Sequence, residues 1–533
     1  MAISERFDAE DNFVPLVPLI PSLSLQSALR NAGTLGTTRI DGYQNTVQSL
    51  ADFTCDDIQL LDARIEHLTR QRSALDQQLS RLRSLNAPVR LIPHDVLIRV
   101  FEYLPVTFIR PEQTKSRVFP TLSPLVAAAS VCHHWRRTIS STPSLWSTFR
   151  VPSETITAKR TANLDRQRHL LELHLRNSSG SPLHFTLFAN YSGPDAMWDM
   201  LVLNIDRWCT AQLENIPMDA ILRSLGNGSD SGSTPVREFP CLEHLLLPFQ
   251  PLHFSSENPL KTFKNAPKLR SLTLRGLVHG GLDLPWSQLE VLALEGANPK
   301  HSFYNASDVL GIVTHTPRLR KLSVRLLEKQ GPAQNLPAAS IFLSHLETLH
   351  LQGGTFPSLI TQLSCPKLTS LSIQGECSSL IAQDALNSFL STLVELSSVH
   401  FILGVTDEKH IVKILQNIPT VTSLSLGALR HMKDTFLQAL FFPDSEQEGQ
   451  ITLLPRLGYL RLIQMPGADV RNSTIQETLV RLCENRLERS QGFANRSRLQ
   501  RLVARAGWYH ESFWSGELQP RIQRLHSMGC RCS

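Results

Sequence analysis

The nine cysteines of this 533-residue chain include no CxxC pair, and no basic leader opens it. No apolar run approaches the ~18 residues a membrane helix needs. Cysteines that are scattered and odd in number give no disulfide framework; they fit a reducing compartment, most of them as small core hydrophobes. The opening MAISERFDAEDNF puts acids where a signal peptide carries basic residues, and the later LVPLIPSL is short and broken by proline. An intracellular soluble protein, in cytoplasm and/or nucleus, is therefore expected, and sequons such as the one at Asn190 are chance matches. Also missing are a nucleophile elbow, a Walker loop, a dinucleotide fingerprint, an HExxH pair and an EF-hand loop. Hence no enzymatic activity, catalytic residue, metal or cofactor is expected. Excess charge of one sign is small, +6 over 533 residues, so nothing in the whole chain argues for nucleic acid as a partner.

What is present is an ordinary globular balance, 41% hydrophobic and 19% charged, on a chain long enough for two or more domains. Residues 1–50 mix Pro, Ser, Gly, Thr and Asn without sustained periodicity and read as mostly disordered, with a brief helix near Leu25 to Leu29. Residues 51–87 carry a heptad stripe: Ile58, Leu61, Ile65, Leu68, Arg72, Leu75, Leu79 and Leu82. Steps alternating between three and four keep this seam on one helical face, so residues 58–82 could pair with a second copy or pack on their own chain. Arg72 in the seam weakens self-pairing.

From 88 to 150 a small helical module is expected. Pro93 suits the first position of a helix and Asp95 its positive end. Val96, Leu97, Val100, Phe101 and Leu104 form a broad apolar stripe that Pro105 ends. A polar linker runs from Val106 to Pro120, and a second helix over 123–140 places Leu125, Ala128, Cys132, Trp135 and Ile139 together. Thr142 and Pro143 then cap and start a short third helix with Leu145 and Trp146. His133 and His134, adjacent on a helix, point to different faces and make a poor metal pair.

This arrangement resembles the F-box. The residues that carry the likeness are Leu91-Ile92-Pro93, Val96-Leu97, Val100-Phe101 and Leu104, then Val131-Cys132-His133-His134-Trp135-Arg136, and Pro143-Ser144-Leu145-Trp146. Asp95 stands for the family's usual Glu and His133 for its usual Arg, and the first linker is longer than usual. The resemblance implies that Leu91, Ile92, Pro93, Val96, Leu97, Val100, Phe101, Leu104, Val131, Trp135, Leu145 and Trp146 bind a Skp-family adaptor.

Between 241 and 510 the chain repeats itself. LxxLxL or a close variant begins at Leu242, Leu269, Leu289, Leu319, Leu346, Leu368, Leu396, Val421 and Leu457, at spacings of 20 to 36 residues. That period is in or near the range of leucine-rich repeats. Proline stands two places before the first apolar residue at Pro240, Pro267, Pro317, Pro366, Pro419 and Pro455. Because proline cannot continue a helix, it marks a helix-to-strand switch in each unit. Each unit then reads as helix, turn and short strand, stacking into an α/β solenoid of degenerate leucine-rich repeats, ribonuclease-inhibitor-like, with the helices on the convex side. Leu272 and Leu274 point inward. The intervening Ser271, Thr273, Lys321, Ser323, His350, Ser372, His400, Ser425, Tyr459 and Arg461 form a polar concave surface expected to bind substrate. The repeat asparagine is missing throughout, so an uneven solenoid is expected. Residues 151–240 read as its irregular lead-in, with a helix over ANLDRQRHLLELHLR, a strand at SPLHFTLF and a second helical stretch from Met200 to Ile216. Residues 511–533 read as a tail.

Two further clusters have simple readings. Arg486 to Arg505 contains six arginines and one acid, and reads as a solvated helical face rather than a site for an acidic partner or phosphates. His526, Cys530 and Cys532 offer soft ligands, but zinc needs a fourth donor at suitable spacing, and a solvated tail is the simpler reading.

Resemblance to F-box proteins with leucine-rich repeats, whose layout here is similar to the large families of mushroom-forming fungi, implies a substrate receptor of a cullin-based ubiquitin ligase of the SCF type. The module would dock on the adaptor and, through it, on cullin, while the solenoid captures a protein substrate. The alternative is a repeat scaffold serving a non-degradative assembly.

Overall fold

The computed structural model describes residues 40–85, 88, 92–104, 124–151, 161–188, 196–214, 221, 225, 237–248, 263–276, 283–296, 304–326, 340–354, 356–377, 379–404, 408–427, 434–442, 453–465, 473–490, 497–506 and 518–532. The expected helix near Leu25, the linker 106–120 and Leu91 lie outside them. The chain divides into two units, Met1–Pro93 and His94–Ser533.

Among the described residues of the first unit lies the helix Ile40–Leu85, of 46 residues, which starts earlier than position 51. Ile58, Leu61, Ile65, Leu68, Leu75, Leu79 and Leu82 are all exposed along it. Arg72 leans on Asp76 at 3.8 Å and Arg70 on Glu66 at 2.6 Å, the i,i+4 pairs of a solvated helix surface.

In the second unit four short helices come first: His94–Glu102, Pro124–Ala129, His133–Ser140 and Pro143–Trp146. The single second helix expected over 123–140 is broken at Cys132, whose extended backbone caps His133–Ser140 and whose sulfur accepts from the Trp135 amide at 3.5 Å. Thr142 is the N-cap residue of the last helix, yet its hydroxyl donates backward to the Thr138 carbonyl at 2.8 Å and leaves the cap unmade. Pro143, which needs no hydrogen-bond acceptor, tolerates this.

Beyond them, besides a separate two-stranded parallel pair, Ile341–Phe342 with Leu363–Ser364, the described residues form a long parallel sheet. Among the described residues it holds fourteen strands in chain order: Thr148–Val151, Leu183–Phe188, Trp208–Glu214, His244–Pro248, Ser271–Arg275, Val291–Glu295, Lys321–Arg325, Thr348–Gln352, Ser370–Gly375, Ser398–Leu403, Ser423–Gly427, Tyr459–Met465, Arg501–Ala506 and Arg531–Cys532. The register aligns Leu272, Leu292, Leu322, Leu349, Leu371, Val399, Leu424, Leu460, Leu502 and Cys532 in one row. Every member of that row is buried, as are the next inward residues from Leu274 to Ala504. Each buried leucine contributes about 2 kcal/mol of transfer free energy, so the row fixes the register: a slip by one residue would turn it outward.

The six prolines have a more specific role than starting strands. Leu242, Leu269, Leu319, Leu368, Val421 and Leu457 each donate their amide to the carbonyl three residues back, at 3.1 to 3.3 Å. Each proline thus occupies the second position of a β-turn, which its fixed φ suits, and the turn delivers the first repeat leucine into the core. On the other side of these turns the helices Ala306–Val313, Phe356–Ile360, Leu380–Ser391, Glu408–Gln416, Asp434–Ala439, Ser473–Arg489 and Gln519–Ser527 each pack on the next.

Both ends of the sheet depart from expectation. The lead-in 151–240 supplies early strands of the same sheet, and within the expected helix from Met200 to Ile216 lies the strand Trp208–Glu214. It buries Trp208 and then, after one extra residue, alternates Ala211 and Leu213 inward, and that burial overrides local helix preference. The expected tail 511–533 contains a helix and the last strand of the sheet. Arg486, expected on a solvated face, is fully buried. Its guanidinium donates to the carbonyls of Leu440, Leu454 and Leu453 at 2.9, 3.1 and 3.0 Å and lies 4.7 Å over the Phe442 ring. Burial pushes its pKa down to about 10.

Candidate adaptor and substrate surfaces

The helix His94–Glu102 presents two apolar edges, and they have opposite fates. Leu97 and Phe101, one turn apart, are 0% and 2% exposed. Phe101 meets Trp135 edge-on at 5.1 Å, and His94 Nδ1 lies 3.1 Å from the Thr138 hydroxyl, so this edge closes on the helix His133–Ser140. Val96 and Val100, also one turn apart, are 45% and 46% exposed, and Tyr103 is 88% exposed. The spacing 96, 100, 103 keeps these three on one helical stripe. Arg99 pairs with Glu102 at 2.9 Å, an exposed rim contact.

The expected adaptor residues therefore separate. Val96, Val100 and Val131 are outward apolar groups; Pro93 is exposed, Ile92 half-buried, and Leu104 and Trp135 half-buried. Leu97, Phe101, Leu145 and Trp146 are buried and form the core of the small helices, not a surface. The reason is geometric: a stripe five residues wide exceeds one face of a helix, so half of it must satisfy the module itself. Tyr103 was not singled out from sequence, although its position seven residues after Val96 carried the signal.

Trp146 secures the junction with the sheet. Its indole donates to the Ile139 carbonyl at 2.8 Å, and its ring meets His174 edge-on at 5.1 Å. His174 Nδ1 donates to the Trp146 carbonyl at 3.0 Å, and burial lowers the imidazole pKa, outweighing that hydrogen bond. Phe149 then stacks on Phe185 at 6.0 Å, Phe185 meets Trp208 at 5.0 Å, and Trp208 meets Phe239 at 5.9 Å. Only Ser147 separates the last short helix from the first strand. With Phe149 5.5 Å from His174, a continuous chain of rings thus ties the helices to the sheet core.

On the sheet, the residues expected to meet substrate fall into two rows. Ser271, Lys321 and Tyr459 lie in the first, and Thr273, Ser323, His350, Ser372, His400, Ser425 and Arg461 in the second. All are half-buried or exposed except Ser425, which is 7% exposed and whose hydroxyl has no partner among the described residues. His350, Ser372, His400, Ser425 and Arg461 sit on five consecutive strands, about 4.8 Å apart. Burial and the cations beside them, Lys321 for His350 and Arg461 for His400, lower both imidazole pKa values, so both are neutral at pH 7. The amino-terminal part of this face is internally paired. Arg275 reaches Glu214 at 3.2 Å and Glu295 at 3.1 Å, and the Thr186 hydroxyl donates to Gln212 at 2.9 Å.

In comparison with known families, residues 89–151 match the F-box-like family. No curated protein matches the chain. An F-box-like domain is thus found where the outward stripe lies, and such domains typically bind Skp-family adaptors. Among the described residues no helix is long and apolar enough to cross a membrane.

Proposed function

We propose that this chain is the substrate receptor of an SCF-type, cullin-based ubiquitin ligase. The observation that carries the reading is an F-box-like domain with an unfilled apolar stripe, Val96, Val100 and Tyr103, joined through packed rings to a long parallel sheet. The stripe docks on a Skp-family adaptor and, through it, on cullin. Removing three large side chains from water supplies the core of a modest interface, while Arg99 and Glu102 provide its polar rim. The sheet, read as degenerate leucine-rich repeats, holds a protein substrate on the row from His350 to Arg461. Ubiquitin transfer belongs to other subunits, so the receptor contributes position only, and the ring-packed junction keeps the distance between the two surfaces fixed. The site of action is the cytoplasm or nucleus.

The exposed seam of Ile40–Leu85 suits pairing with a second copy through residues 58–82, which would give a receptor dimer. Sedimentation of the full chain tests this: Leu68→Asp with Leu75→Asp should convert a dimer to a monomer, and a wild-type monomer at micromolar concentration refutes it.

Affinity purification of the tagged full chain tests the main reading. Adaptor and cullin should be recovered together in near-equal amounts. Recovery of adaptor without cullin would replace the ligase with a non-degradative assembly, and recovery of neither would remove both.

A further inference from the structure

The last helix-strand unit brings together three thiols that lie far apart in sequence. Cys483 projects from the helix Ser473–Arg489, while Cys530 and Cys532 flank Arg531 at the final strand. All three are buried, and their sulfur atoms lie within 4.8 Å of one another. We propose that Cys483, Cys530 and Cys532 form a thiolate site for zinc(II) that clips the final strand to the preceding helix.

Local structure builds the site. The helix Gln519–Ser527 ends in a paired turn: Gly529 donates to the His526 carbonyl at 3.0 Å and Cys530 to the Leu525 carbonyl at 2.9 Å. Gly529 has φ +89°, the left-handed conformation this ending requires and glycine supplies without strain. The turn directs Cys530 back into the core, and Cys532 enters two residues later as the last member of the leucine row. Zinc–sulfur bonds of about 2.3 Å in a tetrahedron place sulfurs about 3.8 Å apart, a spacing the observed cluster admits with small side-chain movements. His526 Nε2 accepts from the Cys532 amide at 3.0 Å, which engages its lone pair, so a small exogenous ligand completes the tetrahedron.

Charge balance points the same way. Binding releases three thiol protons as three metal–sulfur bonds form, leaving a zinc tris-thiolate of net charge −1. Arg486, one helical turn beyond Cys483, is a buried cation whose guanidinium donates to three carbonyls. A singly negative cluster beside it offsets that charge.

The position also calls for a clip. The final strand is only two residues long and pairs at Arg501–Arg531 and Leu502–Cys532, too little to hold an edge alone. Repeat arrays need capped ends. Arg521 already ties the last helix to Glu484 at 2.9 Å and Glu477 at 2.6 Å, and the metal would secure the strand that follows.

The test uses the full chain, purified without chelator, with metal content measured by mass spectrometry and cobalt(II) as a spectroscopic probe. One zinc per chain is expected, and cobalt should give a thiolate charge-transfer band with tetrahedral d–d absorption. Both should be lost in Cys483→Ser and in Cys532→Ser, and both kept in Cys55→Ser, whose cysteine is exposed on the first helix. Should Cys483→Ser fail to fold, the wild-type cobalt spectrum and Cys532→Ser at the sheet edge decide. Three freely titrating thiols with no bound metal, a disulfide within the trio, or unchanged zinc in the serine variants overturns the proposal.

Discussion

Replacing Val96 and Val100 together by aspartate separates docking from folding. Each valine is a little under half exposed, so docking would bury the remaining half of each side chain. Full burial of such a side chain is worth about 2 kcal/mol, so the pair stands to lose about 2 kcal/mol of docking energy. Two carboxylates that must be stripped of water in the interface cost at least about 1–3 kcal/mol each. The sum, about 4 kcal/mol or more, corresponds to a loss of roughly a thousandfold in affinity. The fold should barely respond, since substitutions at exposed sites usually change stability by less than about 0.5 kcal/mol. The carboxylate that Val96→Asp introduces would also sit in the first turn, where the helix dipole favours an acid. Leu97→Ala makes the opposite control: Leu97 is fully buried, so it should cost about 2–5 kcal/mol of stability. Calorimetric titration of a purified Skp-family adaptor, with thermal melts of each variant, reads both quantities. A double aspartate variant that melts like wild type and binds the adaptor within about threefold of it would refute the assignment of this surface.

Three further outcomes follow from particular groups. Arg486→Met should destabilise the carboxy-terminal part of the sheet by about 3 kcal/mol or more, because three buried carbonyls lose their donors; chemical denaturation with unchanged stability would contradict the role given to it. His174 has a folded-state pKa below its ordinary 6.5, so the unfolded chain binds more protons in the window beneath 6.5. Its contribution to stability should therefore fall as pH drops through that window and level off above it, and His174→Asn should flatten this part of the melting-temperature profile. Charge reversal at Lys321 and Arg461 should weaken or redirect substrate capture at least tenfold while leaving adaptor affinity unchanged; loss of adaptor binding instead would show the two surfaces reversed.

Much of this architecture was legible because burial and periodicity coincide. The leucines from Leu242 to Leu457 and their leading prolines marked nine strands, and the matched anchors around Trp135 and Trp146 marked the F-box-like module. What escaped was decided by distant partners. Leu97 and Val96 look equivalent in a stripe, and only the packing of this helix on His133–Ser140 and Pro143–Trp146 sends one inward. Trp208–Glu214 lacks the repeat leucines, so its alternation was hidden inside an apolar stretch. Arg486 reads as solvated because its acceptors, Leu440 and Leu453 among them, lie more than thirty residues away. Cys530 and Cys532 lacked a third sulfur in sequence because Cys483 arrives from another helix.

The proposed function requires the adaptor to dock on the stripe Val96, Val100 and Tyr103 and to leave the sheet face free. Hydrogen–deuterium exchange of the full chain with and without saturating Skp-family adaptor tests it most directly. Exchange should slow over residues 92–104 and stay unchanged across the strands from Lys321–Arg325 to Tyr459–Met465. Unchanged exchange in His94–Glu102 with protection on the sheet would contradict it.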